Sequence, residues 1–290
     1  MNALLPQLTG RALTVDAALS QPTIIRDRIA RLADSQMVMS RFFSSLGKQV
    51  EGGGILYSVA KSSDLYATGV ERRSPGAEYP VVEGVDREPK LAVVEDFGGK
   101  FQIFDEQTKR NDVSYLDGQV NQLANTVTAK VDAAAMAAVA AADIDSIVAT
   151  AAWDETVLDG SAPTAPAERP TGTLAQVLEV FETDAMGIVP DTLLVAPQEA
   201  RVLRTLYGRD LGAVLDSFGL TLVSNARLEA GAAYVLRAGE VGTVGFEEPL
   251  RTEVYDDRST RSKWVQTFCV PAFAVEKPYA AKKLTALASV

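Results

Sequence analysis

The sequence predicts an α+β protein whose first half extends rather than closing on itself. Three observations carry this. Residues 52–110 make a long, charged, strand-like arm with too few apolar positions for a core of its own. That arm runs directly into one long alanine-rich helical segment ending near Ala142. After a Pro/Ala/Thr-rich stretch, DGSAPTAPAERPTG, the texture changes to regular α/β alternation and then to closing strands. An arm that must be ordered by lying on something else points to a chain made to join copies of itself.

Each element can be justified in order. Pro22 and Thr23 can start a helix in the N-terminal region, with Ile25, Ile29 and Leu32 at i, i+4 and i+7. Arg26, Arg28, Arg31 and Arg41 decorate it, as a solvated basic face or as a docking surface for an acidic neighbour. Gly52, Gly53 and Gly54 lead into a strand, ILYSVA, and the return strands LAVVED and KFQIFDEQ flank Gly98 and Gly99. This reads as a two-stranded hairpin with a loose tip, each leg on the order of 60 Å if fully extended at ~3.3 Å per residue. A lone two-stranded ribbon is marginal in water, so it needs a surface.

Asn111 or Asp112 is placed to cap the next helix. Leu116, Val120, Leu123, Val127 and Val131 then form one apolar stripe, and alanines from 133 to 142 let another backbone approach. At ~1.5 Å per residue this helix is about 45 Å long, and a coiled coil is the alternative reading. Thr173 is the expected cap of a helix carrying Leu174, Val177, Leu178 and Phe181. DTLLVA reads as a buried strand, and Pro197 opens a further helix. Short strands with glycine turns follow, then TEVYDDRS, KWVQTFCVPAFAV and a lysine-rich end as two or three more strands.

Composition excludes much of enzymology. The 290 residues, 47% hydrophobic and 23% charged, describe a globular chain large enough for a substantial core. No window approaches the roughly 20 apolar residues of a membrane span. The N-terminus lacks a basic region followed by an apolar one, so the expectation is a soluble protein of the cytoplasm in which it is made. There is no histidine, which removes imidazole bases and most zinc and iron sites together. The one cysteine, Cys269, lies in an apolar run and reads as buried packing. A net charge of −10 argues against gripping nucleic acid but permits enclosing it.

The search for chemistry ends empty. Lys61-Ser62 suggests the end of a phosphate loop, but the glycines required directly before the lysine and five residues earlier are Ala60 and Ile55. Asp256-Asp257 and Glu247-Glu248 are the adjacent carboxylates in a polar setting, read as solvated groups at strand ends. No loop carries the alternating oxygen ligands of a calcium site. The expectation is no catalytic, cofactor-binding or metal residue, no cofactor, and no enzyme.

The order of parts resembles the major capsid proteins of tailed bacteriophages with the Hong Kong 97-type fold. ERRSPGAEYPVVE resembles the tip of that family's extended loop (E-loop), and DFGGKFQIFDEQTKRNDVSYLDGQVNQLANTV its return strand and spine helix. DTLLVAPQEARVLRTLYG and FGLTLVSNARLEAGAAYVL resemble its axial (A) domain, and RSKWVQTFCVPAFAVEKP its closing peripheral strand. The likeness runs from about residue 47 onward and rests on soft patterns in the right order.

The resemblance implies an N-terminal arm at 1–46, an E-loop hairpin at 47–108 and the spine helix with the start of the peripheral domain at 109–150. An axial domain at 151–248 and closing peripheral strands at 249–290 complete the plan. It implies self-assembly into hexamers and pentamers of an icosahedral shell that encloses double-stranded DNA without binding it specifically. A portal and a separate scaffolding protein are implied as assembly partners, with no membrane, and the virion capsid as location after assembly in the host cytoplasm. Glu71, Arg72, Arg73, Glu78, Asp86, Arg87 and Glu88 are expected to make intersubunit ion pairs that set register. Lys61, Lys90 and Lys100 lie in the arm, but nothing marks a cross-linking partner. Two rivals remain: an encapsulin-type nanocompartment shell, and a cytoplasmic α/β enzyme using carboxylates with the arm as a dimerisation element.

Overall fold

The computed structural model describes residues 15–34, 37–61, 64, 70, 72–79, 81, 87 and 89–289. Helices α1 (Val15–Leu19), α2 (Pro22–Asp34) and α3 (Met39–Phe42) lead into strand β1 (Phe43–Gln49). Hairpin strands β2 (Gly54–Ser58) and β3 (Pro89–Val93) follow, then β4 (Phe97–Phe104), α4 (Asp105–Lys109) and the long helix α5 (Val113–Ala141). The α/β part comprises β5 (Ser146–Val148), α6 (Pro170–Thr183), β6 (Thr192–Val195), α7 (Pro197–Tyr207), α8 (Leu211–Ser217), β7 (Thr221–Ser224) and β8 (Ala233–Leu236). Strands β9 (Gly242–Asp257), β10 (Ser262–Ala274) and β11 (Ala281–Thr285) complete the chain.

Among the described residues three sheets form. One is four-stranded in the order β1-β9-β10-β4, with β1 parallel to β9 and the rest antiparallel. A five-stranded mixed sheet runs β5-β11-β8-β6-β7. The third is the isolated β2-β3 ribbon.

Helix α5 ties these parts together. The Asp112 carboxylate accepts the Tyr115 N–H at 3.1 Å, which satisfies one orphan donor of its first turn. Leu116, Val120, Ala124, Val127, Val131, Ala135 and Val139 are buried along one stripe. The first third of that stripe packs with Ile25 and Ile29 of α2 and Ile103 of β4, and the middle with Cys269 of β10. The last third packs with Phe42, Phe43, Tyr234 and Val241. Glycine at 99 makes the close approach possible: a Cβ there would sit 2.7 Å from the Leu123 side chain.

The five-stranded sheet is covered on both faces. Leu193 and Val195 of β6, with Ala233 and Val235 of β8, face a core of Leu174, Val177, Phe181 and Leu203 from the helices. The alternate residues Leu194, Tyr234 and Leu236 face α3, β1 and the end of α5. Two buried ionic anchors reinforce the join. Asp132 of α5 accepts the backbone N–H groups of Val38 and Met39 at 3.0–3.1 Å and pairs with Arg227 at 3.3 Å. Lys282 of β11, fully buried, donates to Asp145 and to Asp184 and lies over the Phe181 ring.

Several expectations need correction. The hairpin ladder is five residue pairs long, because 97–104 leaves it to pair with β10. Glycines at 98 and 99 serve that new pairing: a Cβ at 98 would meet Phe268 at 2.8 Å. Thr173 is not a cap but a fully buried residue inside α6, accepting the Trp153 indole N–H at 3.5 Å. The helix starts at Pro170 instead, where the missing N–H costs nothing. Strand β9 runs unbroken from Gly242 through TEVYDD to Asp257, so Glu247-Glu248 lies within it rather than at its end. Asn111 adopts a φ of 53° and its side chain accepts the Val15 N–H at 2.8 Å, anchoring α1.

Candidate assembly surfaces

Among the described residues, the ribbon carries three exposed apolar side chains on one face. Directly opposed pairs in an antiparallel ladder share a face. Ile55 and Ala92 form one pair and pack with Val50, Ala272 and Ala274 of the body. Leu56 and Leu91 form the next pair, on the opposite face with Val93, and are 72%, 61% and 62% exposed. The ribbon is held by the backbone as well: Ala60 N–H donates to Glu276 O at 2.8 Å and Glu95 N–H to Pro271 O at 3.0 Å. Gly52 and Gly53, at φ of 79° and 78°, make the turn by which the chain enters β2.

The expected intersubunit residues lie farther along this arm. Arg72, Arg73 and Glu78 are exposed, in a compact turn where the Arg73 guanidinium sits 4.4 Å from the Tyr79 ring centroid. Arg87 is exposed and pairs with Asp64 at 3.4 Å, within its own chain. Glu71, Asp86 and Glu88 lie outside the described residues.

An open groove of about 950 Å³ separates the ribbon from the C-terminal end of α5. Lys61, Arg87 and Lys90 of the arm line it together with Asp143, Asp145 and Asp184, and with Ala138 and Ala141 of α5. Nothing in the local sequence signals this groove, because its walls come from segments more than fifty residues apart.

The groups that could do chemistry are otherwise engaged. Burial, helped by nearby Asp96, pushes the Cys269 thiol up to about 11, so it stays protonated at neutral pH. The Ser259 hydroxyl and the Trp264 indole hold Asp257 down at about 2, and Arg258 lowers Asp256, so neither can act as an acid near neutrality. Among the described residues no group of three His, Cys, Asp or Glu is placed to hold a metal, and no helix is long and apolar enough to cross a membrane.

Residues 87–284 match a family model described as phage capsid protein. The chain belongs to that phage capsid protein family. The fold agrees with those of solved shells. The virus-like particle from Pyrococcus furiosus superposes with a TM-score of 0.62 at 13% identity, covering 90% of this chain and 97% of that one. The capsid of cyanophage P-SCSP1u gives 0.62 at 13% identity, covering 87% and 89%. The capsid of Myoviridae phage XM1 gives 0.61 at 11% identity, covering 86% and 91%. No curated protein sequence matches. The α+β architecture is therefore the Hong Kong 97-type capsid fold, and membership makes this phage capsid protein a structural shell component.

Sequence reasoning found the arm as the element of interest but missed the Leu56–Leu91 face. The alternation in ILYS and PKLAV carried that signal, once the short register is known. It also missed Asp132 and Lys282, which a sequence pattern cannot distinguish from solvated charges.

Proposed function

We propose that this chain is a major capsid protein that self-assembles into hexamers and pentamers of an icosahedral shell enclosing the double-stranded DNA of a tailed bacteriophage. The observation that carries the reading is the outward apolar face of the β2-β3 ribbon, on an arm whose other face already rests on the body. A monomer gains nothing by exposing Leu56, Leu91 and Val93 side by side. A neighbouring copy covering all three gains on the order of 4 kcal/mol per arm. Repeated around a closed shell, contacts of that size suffice, because each subunit makes many at once.

Residues 47–108 act in this reading as the E-loop, α5 as the spine helix, 151–248 as the axial domain and 249–290 as closing strands of the peripheral domain. Arg72, Arg73, Glu78 and Arg87, together with Glu71, Asp86 and Glu88, make intersubunit ion pairs. A portal and a separate scaffolding protein take part in assembly. The net charge of −10 supports a lining that holds DNA without gripping it. Electron microscopy of the purified protein tests the whole reading. Closed particles with hexameric and pentameric capsomers are expected, and a population of discrete dimers with no particles would overturn it.

A further inference from the structure

The groove and the arm's turn carry matching but opposite charge patterns. The groove is lined by Lys61 and Lys90 of the arm and by Asp143 just beyond α5, all three exposed and without an ion pair among the described residues. Asp145 and Asp184 add to the acidic lining while holding the buried Lys282. The turn at 72–79 has two arginines at its start and Glu78 near its end. It is compact: Ala77 N–H donates to Ser74 O at 3.1 Å, Gly76 adopts a φ of 89°, and Tyr79, 71% exposed, stacks under Arg73.

We propose that the 72–79 turn of one copy seats in this groove of the next. Arg72 and Arg73 face Asp143 and Asp145, Glu78 faces Lys61 and Lys90, and Tyr79 covers the α5 alanines of the lining. The proposal rests on the shell reading and names the partner surface of the arm. Charge complementarity selects the occupant: reversing the turn in the groove would set arginines against lysines and a glutamate against aspartates, so a single orientation is admitted. Turn and groove are different surfaces of one chain, so the contact is heterologous. Such contacts propagate from copy to copy and close into a ring where the rotation between copies permits, the geometry a capsomer requires.

The test uses the full chain with Cys269→Ala, which removes its one native thiol. Arg73→Cys and Asp143→Cys are combined in that background, particles are assembled, and mild oxidation is followed by non-reducing electrophoresis. A ladder of covalent multimers is expected, with each single-cysteine chain giving dimers at most. Particles without a ladder, or a disulfide closed within one chain, would overturn the pairing. Charge exchange gives a second readout that does not depend on cysteines. Arg73→Glu and Asp143→Lys should each lower particle yield about tenfold, and the two together should restore it. Particles that form with neither ladder nor rescue refute this pairing alone. An unmodified chain that forms neither particles nor ring-shaped capsomers refutes the shell reading on which it rests.

Discussion

The five-stranded sheet and the β2-β3 ribbon both carry apolar residues on two faces, but only the sheet has both faces covered by its own chain. Helices α6, α7 and α8 cover one side of the sheet, and α3, β1 and the end of α5 cover the other. The ribbon rests Ile55 and Ala92 on the body and leaves Leu56, Leu91 and Val93 in solvent. The difference is one of available partners. The sheet finds a layer for each face within its own chain, whereas the outer face of the ribbon finds none among the described residues. On the proposed reading, stability and assembly lie in different parts of the chain, and mutation should separate them.

The largest expected effect lies in the enclosed region. Trp153 is fully buried, with its indole N–H on Thr173 and its backbone N–H on Leu287 O. Trp153→Ala should cost the unassembled subunit about 4 kcal/mol, read from thermal or denaturant unfolding. A loss under about 1 kcal/mol would break the comparison, because the enclosed region would then not be the stability-bearing one.

Next comes the anchor between regions. Asp132→Ala leaves the buried Val38 N–H and the half-buried Met39 N–H without this acceptor and removes the ion pair to Arg227, and should cost about 3 kcal/mol. Burial raises the Asp132 carboxyl above its ordinary 3.8, against the opposing pull of the Val38 and Met39 amides and Arg227. A raised folded value means the native state holds the proton more tightly. As pH rises from 3.8 through the raised value, ionisation therefore removes stability. Relative to wild type, Asp132→Asn should lack this fall, measured as the difference between the two stability–pH curves.

The ribbon should behave in the opposite sense. Leu56→Ser with Leu91→Ser is expected to change subunit stability by no more than about 0.5 kcal/mol, since both side chains are already solvated. Particle formation, followed by sedimentation and microscopy, should fail. Normal particles from this double variant would place the assembly contact elsewhere.

The smallest effect is at the exposed tip of the β9-β10 hairpin. Asp257, held at about 2 chiefly by the Ser259 hydroxyl, favours the folded turn at pH above 3.8. That contribution disappears as pH falls through about 2, so hydrogen exchange of the Ser259 amide should quicken across this window. Ser259→Ala should raise the Asp257 carboxyl toward its ordinary value, observable by NMR titration, with no change in global unfolding.

Much of the fold was legible because it is local. The stripe of α5, the capping Asp112, the proline that opens α7 and the apolar run of β6 each follow from periodicity or terminal chemistry within a few residues. The failures share one cause. Strand 97–104 looks like a hairpin return until β10 competes for it, and Thr173 looks like a cap until Trp153 needs an acceptor. Likewise the parallel pairing of β1 with β9 joins Phe43 to Gly242 across nearly two hundred residues, which no local pattern encodes.

By itself, the sequence determined that this chain is α+β, that it has a long helix and a poorly cored arm, and that imidazole and thiolate-cluster chemistry are absent. Those follow from residue types and their spacing, which act over one or two turns of chain. Only the tertiary structure decided which face of the ribbon is covered, which charges are buried, and that Lys61, Lys90 and Asp143 line one groove. Burial and charge juxtaposition depend on which distant segments pack together, and that choice is made by the whole core at once.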